Sequence, residues 1–309
     1  MIDAIRMRLA LMRWKFRAKK RRRQKIRVGN LPSFFAALND AELAYVVLRW
    51  FDEVPTSLAA ESSFEGDLDM LVDSKDLEGF CRIVACHPGD IRVDLYSDTT
   101  RLGTGYKRLP YYPPVLARQV LASRELHDVG FFRPDDGAYL RSLAYHLVYH
   151  KGLMAGVATG VDLQPTDESP HDVQNELKGL AEATGTELPS PCTLLDLHRW
   201  LTGECWDMPY DLICRWPRRN AWHDALQTIM EKELAAKMEG LSDILVFLIR
   251  EDAMIDEARE FIVGRLRAKF TVLDVVELSD SQVETVSRCT RGGNWVEKRG
   301  TLTVAPRLA

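Results

Sequence analysis

The chain has 309 residues, 46% apolar and 28% charged, the make-up of an ordinary globular protein. No apolar run approaches the ~18–20 residues that span a bilayer. The N-terminus lacks the apolar core and small-residue cleavage site of a signal peptide, so a cytoplasmic protein is expected. Six scattered cysteines do not make a disulfide framework and predict reduced thiols. Cys81, Cys86 and His87 lack the second ligand pair of a zinc site, so buried thiols are expected there too.

The net charge of −4 conceals an asymmetry, because residues 1–27 carry +11 and the remainder −15. That first segment predicts one amphipathic helix or tail. Ile2, Ile5, Leu9, Met12 and Phe16 recur at three- and four-residue spacing, with Arg6, Arg8, Arg13, Lys15 and Arg17 on other faces. Such a helix suits an anionic membrane surface, and the alternative is a basic tail docked on the protein's own acidic body. No aromatic residues interleave the basic run as stacking platforms, so nucleic acid is not the expected partner.

Beyond it, a helix capped by Ser33 is expected through about Asp40, then a short buried strand over Tyr45–Arg49. After a polar stretch comes Gly66-Asp67-Leu68-Asp69-Met70-Leu71-Val72, a strand whose period of two puts Asp67 and Asp69 on one face. A helix from Ser74 to about Ala85 and a turn at His87-Pro88-Gly89 lead to a second acidic strand, Ile91–Tyr96, carrying Asp94. Three carboxylates on one sheet face repel unless a cation neutralises them, which suits Mg²⁺ (or Mn²⁺) and a nucleotide's phosphates.

From Tyr111 to about Gly240 the pattern is helical. Helices are expected over Pro113–Ala122, Pro134–Lys151, His171–Ala183, Thr193–Leu201 and Asn220–Met238. His146 and His150, four apart, share a face; packed histidines are favoured over metal ligands. Lys107 and Lys151 are candidates to reach nucleotide phosphates, and Lys151 can otherwise complement a helix C-terminus. Trp200, Trp206, Trp216 and Trp222 suit either core packing or a sugar-stacking acceptor pocket, with core packing favoured. After Asp243, strands at Ile244–Ile249 and Thr271–Leu278 alternate with helices at Asp256–Phe270 and Ser281–Arg288. Arg291-Gly292-Gly293-Asn294-Trp295 is a tight turn.

The strand order around Asp67, Asp69 and Asp94 resembles the nucleotidyltransferase-fold superfamily, whose best-known branch is DNA polymerase beta-like. Val47-Leu48-Arg49, Gly66-Asp67-Leu68-Asp69 and Tyr145-His146-Leu147-Val148-Tyr149-His150-Lys151-Gly152 together resemble nucleotidyltransferase-like proteins of bacterial polysaccharide clusters. The resemblance covers about residues 42–155. It implies that Asp67 and Asp69 hold two Mg²⁺ ions and that Asp94 joins the metal activating the attacking hydroxyl. Where the family has a Gly-Gly or Gly-Ser turn after the preceding strand, this chain reads Leu48-Arg49-Trp50-Phe51. The Arg49 fork can stand in for backbone amides toward phosphate, with Gly66 beside it.

The C-terminal segment is similar to the opening βαβ portion of nucleoside diphosphate kinases, with Val246–Asp252 in place of a strand ending in a Lys-Pro-Asp type turn. No histidine follows residue 223, so the resemblance implies a ferredoxin-like accessory or dimerisation unit rather than that activity.

The expected fold is α+β: a basic helix over 1–27, a small mixed-sheet nucleotidyltransferase-like core over 28–110, a helical domain over 111–240 and a small α/β unit over 241–309. The expected function is Mg²⁺-dependent transfer of a nucleotidyl or phosphoryl group from an NTP such as ATP to a hydroxyl or phosphate acceptor. The resemblance points to surface-polysaccharide assembly on a sugar or lipid-linked acceptor, peripheral to the inner membrane face. The alternatives are a metal-dependent glycosyltransferase using a sugar nucleotide and a non-catalytic assembly module.

Overall fold

The computed structural model describes residues 2–20, 22–61, 64, 66–99, 101–107, 109–166, 169–214, 216, 220–237, 246–249 and 301–304. The chain divides into two compact units, Met1–Asp207 with Trp216–Trp222, and Met208–Arg215 with His223–Ala309. The core and helical regions that the sequence separates at residue 110 thus share the first unit.

The opening helix, α1 (Ile2–Lys19), stops well short of Arg27. Ile26–Val28 is instead β1, a strand of the core sheet, with Ile26 and Val28 buried and Arg27 outward. Strand alternation at Ile-Arg-Val wins over helix continuation because β4 (Ile91–Ser97) supplies a partner, antiparallel with Ile26 opposite Val93 and Val28 opposite Ile91. The turns beside this pair touch, and a Cβ on Gly89 would lie 2.4 Å from the backbone of Gly29. Glycine is needed there for close approach.

Helix α2 (Leu31–Asp40) is capped by Asn30, whose side chain accepts from the Ser33 amide; Ser33 is therefore inside the helix rather than its cap. Strand β2 (Tyr45–Val47) runs antiparallel to β3 (Asp67–Val72), and the one-turn helix α3 (Leu58–Glu61) lies between them in sequence. Helix α4 (Leu77–Cys86) carries the chain from β3 to β4, which lies parallel to β3. The sheet order is β1-β4-β3-β2. Phe80 of α4 packs edge-on to Phe34 of α2 at 5.9 Å between centroids and tilted against Trp14 of α1 at 6.5 Å. Trp14 is the buried anchor of α1.

The helical region opens with α5 (Pro114–Ala122) and a hairpin absent from the sequence reading, β5 (Arg124–Leu126) with β6 (Phe132–Pro134). Helix α6 (Asp136–Tyr145), capped by Asp135, passes into a π-helical turn over His146–Lys151 instead of continuing as one α-helix. Gly152 ends it at φ 56°, ψ −124°, a conformation that favours glycine. Helices α7 (Val173–Thr184) and α8 (Leu194–Gly203) pack on α6, the latter held by a capping box of Thr193 with Asp196. In the second unit, α9 (Tyr210–Cys214) is short, and β7 (Val246–Ile249) pairs antiparallel with β8 (Thr301–Val304). Helix α10 (Ala221–Lys237) precedes them in the chain. The expected elements over 256–270, 271–278 and 281–288 and the turn at 291–295 lie outside the described residues. The molecule is thus mixed α+β, with a four-stranded mixed sheet.

Candidate active site

Strands β3 and β4 are parallel, with Asp69 directly opposite Asp94 and Asp67 opposite Arg92. Neighbouring strands lie about 4.8 Å apart, so these side chains stand side by side on one sheet face. Leu68, Met70, Val93 and Leu95 fill the opposite face and are buried. Alternation in both strands therefore produces one charged edge and one apolar side.

Each carboxylate holds an arginine. Arg49, buried just beyond β2, donates to Asp69 at 2.6 Å, and its guanidinium lies 5.7 Å from the centre of the Tyr111 ring. Arg92 reaches Asp94 through both Nε and Nη2 at 3.1 Å and approaches Asp67 at 3.6 Å. Arg23 comes from the segment after α1 to meet Asp94 at 2.7 Å. The acids are drawn toward the arginines rather than toward a common point. Among the described residues no group of three or more His, Cys, Asp or Glu side chains converges as a metal cage.

Burial and charge shift these groups in different directions. Burial, with Asp67 and Asp94 nearby, pushes the Asp69 carboxyl above the usual aspartate range, against the opposing pull of Arg49 and a Tyr96 hydrogen bond. Burial alone would weaken the charge on Arg49, but Asp69 and the surrounding tyrosines hold it well above its ordinary value. His146 is held well below the usual histidine range, first by burial and then by Arg49, His150 and Lys151. It is therefore a neutral ring, with Nδ1 2.6 Å from the Tyr111 hydroxyl.

These groups line a cleft of about 370 Å³. Arg49, Gly66, Asp67, Asp69, Asp94 and Lys151 all border it, so six of the seven sequence-predicted residues share one site. Lys107 is not among the lining residues; its ammonium lies 5.1 Å and 5.3 Å from the centres of the Tyr106 and Trp216 rings. His146 and His150 do share a face, and both bond to Tyr111, His150 through its Nε2 to the Tyr111 carbonyl at 2.9 Å. Trp206, Trp216 and Trp222 are buried, and the Trp222 indole donates to the Val148 carbonyl at 2.7 Å. These three tryptophans are core rather than an open stacking surface.

The turn after β2 keeps a glycine-like backbone without a glycine. Trp50 sits at φ 57°, ψ 49°, a left-handed conformation rare for a bulky side chain. Its ring stacks on His171 with centroids 3.8 Å apart, and His171 Nδ1 meets Glu53 Oε1 at 2.8 Å. All three residues border the cleft. Sequence reasoning missed Arg23, Arg92, Trp50 and His171. Arg92 was within reach of it, standing two positions before Asp94 on the same strand face.

Compared with models of protein families, with curated proteins and with solved structures, the chain matches none.

Proposed function

We propose that this cleft belongs to an Mg²⁺-dependent nucleotidyltransferase-like enzyme that moves a nucleotidyl or phosphoryl group from an NTP to a hydroxyl or phosphate acceptor. The observation that carries the reading is the register of Asp69 against Asp94, with Asp67 two residues away on the same face. The donor set fits a hard cation, since it is all carboxylate oxygen. Asp67, 41% exposed, and Asp94, whose partners Arg92 and Arg23 are 56% and 39% exposed, are the residues that would hold Mg²⁺ beside Asp69. When bound, Mg²⁺ supplies positive charge to the phosphate oxygens and acidity to the attacking hydroxyl.

The chain's own groups do the rest. Arg49 stays locked on Asp69 and fixes that carboxylate. Arg92 and Arg23 release Asp94 and turn their planar forks to phosphate oxygens, a geometry guanidinium suits. Lys151, exposed at the cleft, adds a mobile cation for the same oxygens. Asp94, freed, accepts the proton of the attacking hydroxyl. A sugar or lipid-linked acceptor in surface-polysaccharide assembly is the substrate class that the family resemblance suggests.

A second reading, a non-catalytic module of the same fold, draws on the three arginines that already balance the three acids. Calorimetry decides between them. ATP is expected to bind only with Mg²⁺, and Asp67→Asn or Asp94→Asn to abolish that dependence while pyrophosphate release is lost. Binding of ATP equally well without Mg²⁺, or of sugar nucleotides in its place, overturns the proposal.

A further inference from the structure

Helix α1 is apolar on two opposite sides. Its inner side docks through Trp14 against Phe80, and Lys15 pairs with Glu78 of α4 at 2.7 Å. Its outer side carries Ile2, Ile5, Leu9, Met12 and Phe16, which remain 67%, 53%, 60%, 68% and 61% exposed. At 3.6 residues per turn these five fall in one stripe roughly opposite Trp14. Arg6, Arg13 and Arg17 run along one border of the stripe, and Arg8, Lys15 and Lys19 along the other. A soluble surface rarely leaves so ordered an apolar strip uncovered.

We propose that this stripe lies in the surface of an anionic bilayer, with α1 parallel to the membrane plane. The flanking charge selects that occupant. A second copy of the helix would bring its basic borders against these, whereas acidic lipid headgroups neutralise both borders at once. Arg6, Arg13, Arg17 and Lys25 further line a groove of about 520 Å³ beside the helix, a seat for headgroup phosphate. Among the described residues no helix is long and apolar enough to cross a membrane, so in-plane contact is the mode left to α1. The contact leaves the fold undisturbed, because the residues that hold α1 to the core face the other way. It also stands independently of what the cleft binds.

The test is co-sedimentation of the full-length protein with vesicles of phosphatidylglycerol and phosphatidylcholine, against phosphatidylcholine alone. Binding is expected only with phosphatidylglycerol and is expected to weaken as salt rises. The double variant Leu9→Ser/Met12→Ser and the double variant Arg8→Gln/Arg13→Gln should each bind about 10-fold more weakly or worse. All four positions are exposed, so an unchanged melting temperature confirms that the fold is intact. Equal partitioning of Leu9→Ser/Met12→Ser and the parent overturns the proposal, as does equal binding to both vesicle types or to neither. Concentration-dependent self-association that the serine variant abolishes, without vesicle binding, overturns it in favour of a second copy.

Discussion

The inner and outer ion pairs of the cleft share their chemistry and differ in their surroundings. Arg49 and Asp69 meet with 5% and 16% of their side chains exposed, whereas Arg92 is 56% exposed where it meets Asp67 and Asp94. A charge taken out of water must keep its partner, and a charge left in water hardly notices losing one. The inner pair is thus part of the framework, and the outer pairs are available to exchange partners with a ligand.

The sharpest way to break this contrast is Arg49→Ala. It leaves Asp69 buried without compensation and is expected to cost about 3–5 kcal/mol in chemical unfolding. Asp69 should also rise further above the ordinary aspartate range, which carbon-13 NMR of its carboxyl reads directly. If the variant unfolds with the parent's midpoint, the inner pair is not structural.

Next in size are two pH effects of opposite sign. Folded Asp69 binds its proton more tightly than the unfolded chain does, so its contribution to stability falls as pH rises from 3.8 through its raised value. Folded His146 refuses a proton that the unfolded chain accepts. Its contribution is therefore complete above 6.5 and lost as pH falls below that value, by about 1.4 kcal/mol per pH unit for one proton. Unfolding curves across pH should lose the second slope in His146→Gln; a slope that survives there belongs to another group.

The smallest effect is expected at Arg92. Arg92→Ala should change stability by no more than about 1 kcal/mol while tightening Mg²⁺ binding, because it exposes Asp94 and Asp67. Weaker Mg²⁺ binding in this variant would mean that Arg92 supports the carboxylates rather than guarding them.

The inner and outer shells were unequally legible in the sequence. Strand alternation exposed Asp67, Asp69 and Asp94, because a period of two survives in six or seven residues. The same rule would have found Arg92. Nothing local marks Arg23, which sits in a run of like charges and acquires its meaning only from β4. Strands β1, β5 and β6 have three residues each, too few for any periodicity to register. The left-handed Trp50 has no sequence signature, since a bulky side chain is the last expected in that conformation. Arg49 was read as a phosphate fork, but it spends its guanidinium on Asp69, a partner fixed by the antiparallel pairing of β2 with β3.

The widened turn over His146–Lys151 carries one last consequence. A π-helical segment holds an additional residue relative to regular winding, and each residue of an α-helix rotates the chain by about 100°. Deleting a single position there would let α6 wind on regularly, yet would swing whatever follows by more than a quarter turn. Lys151 would leave the cleft mouth and Gly152 would lose its seat beside Trp222. Chain length in this turn, as much as residue identity, sets where that cation points.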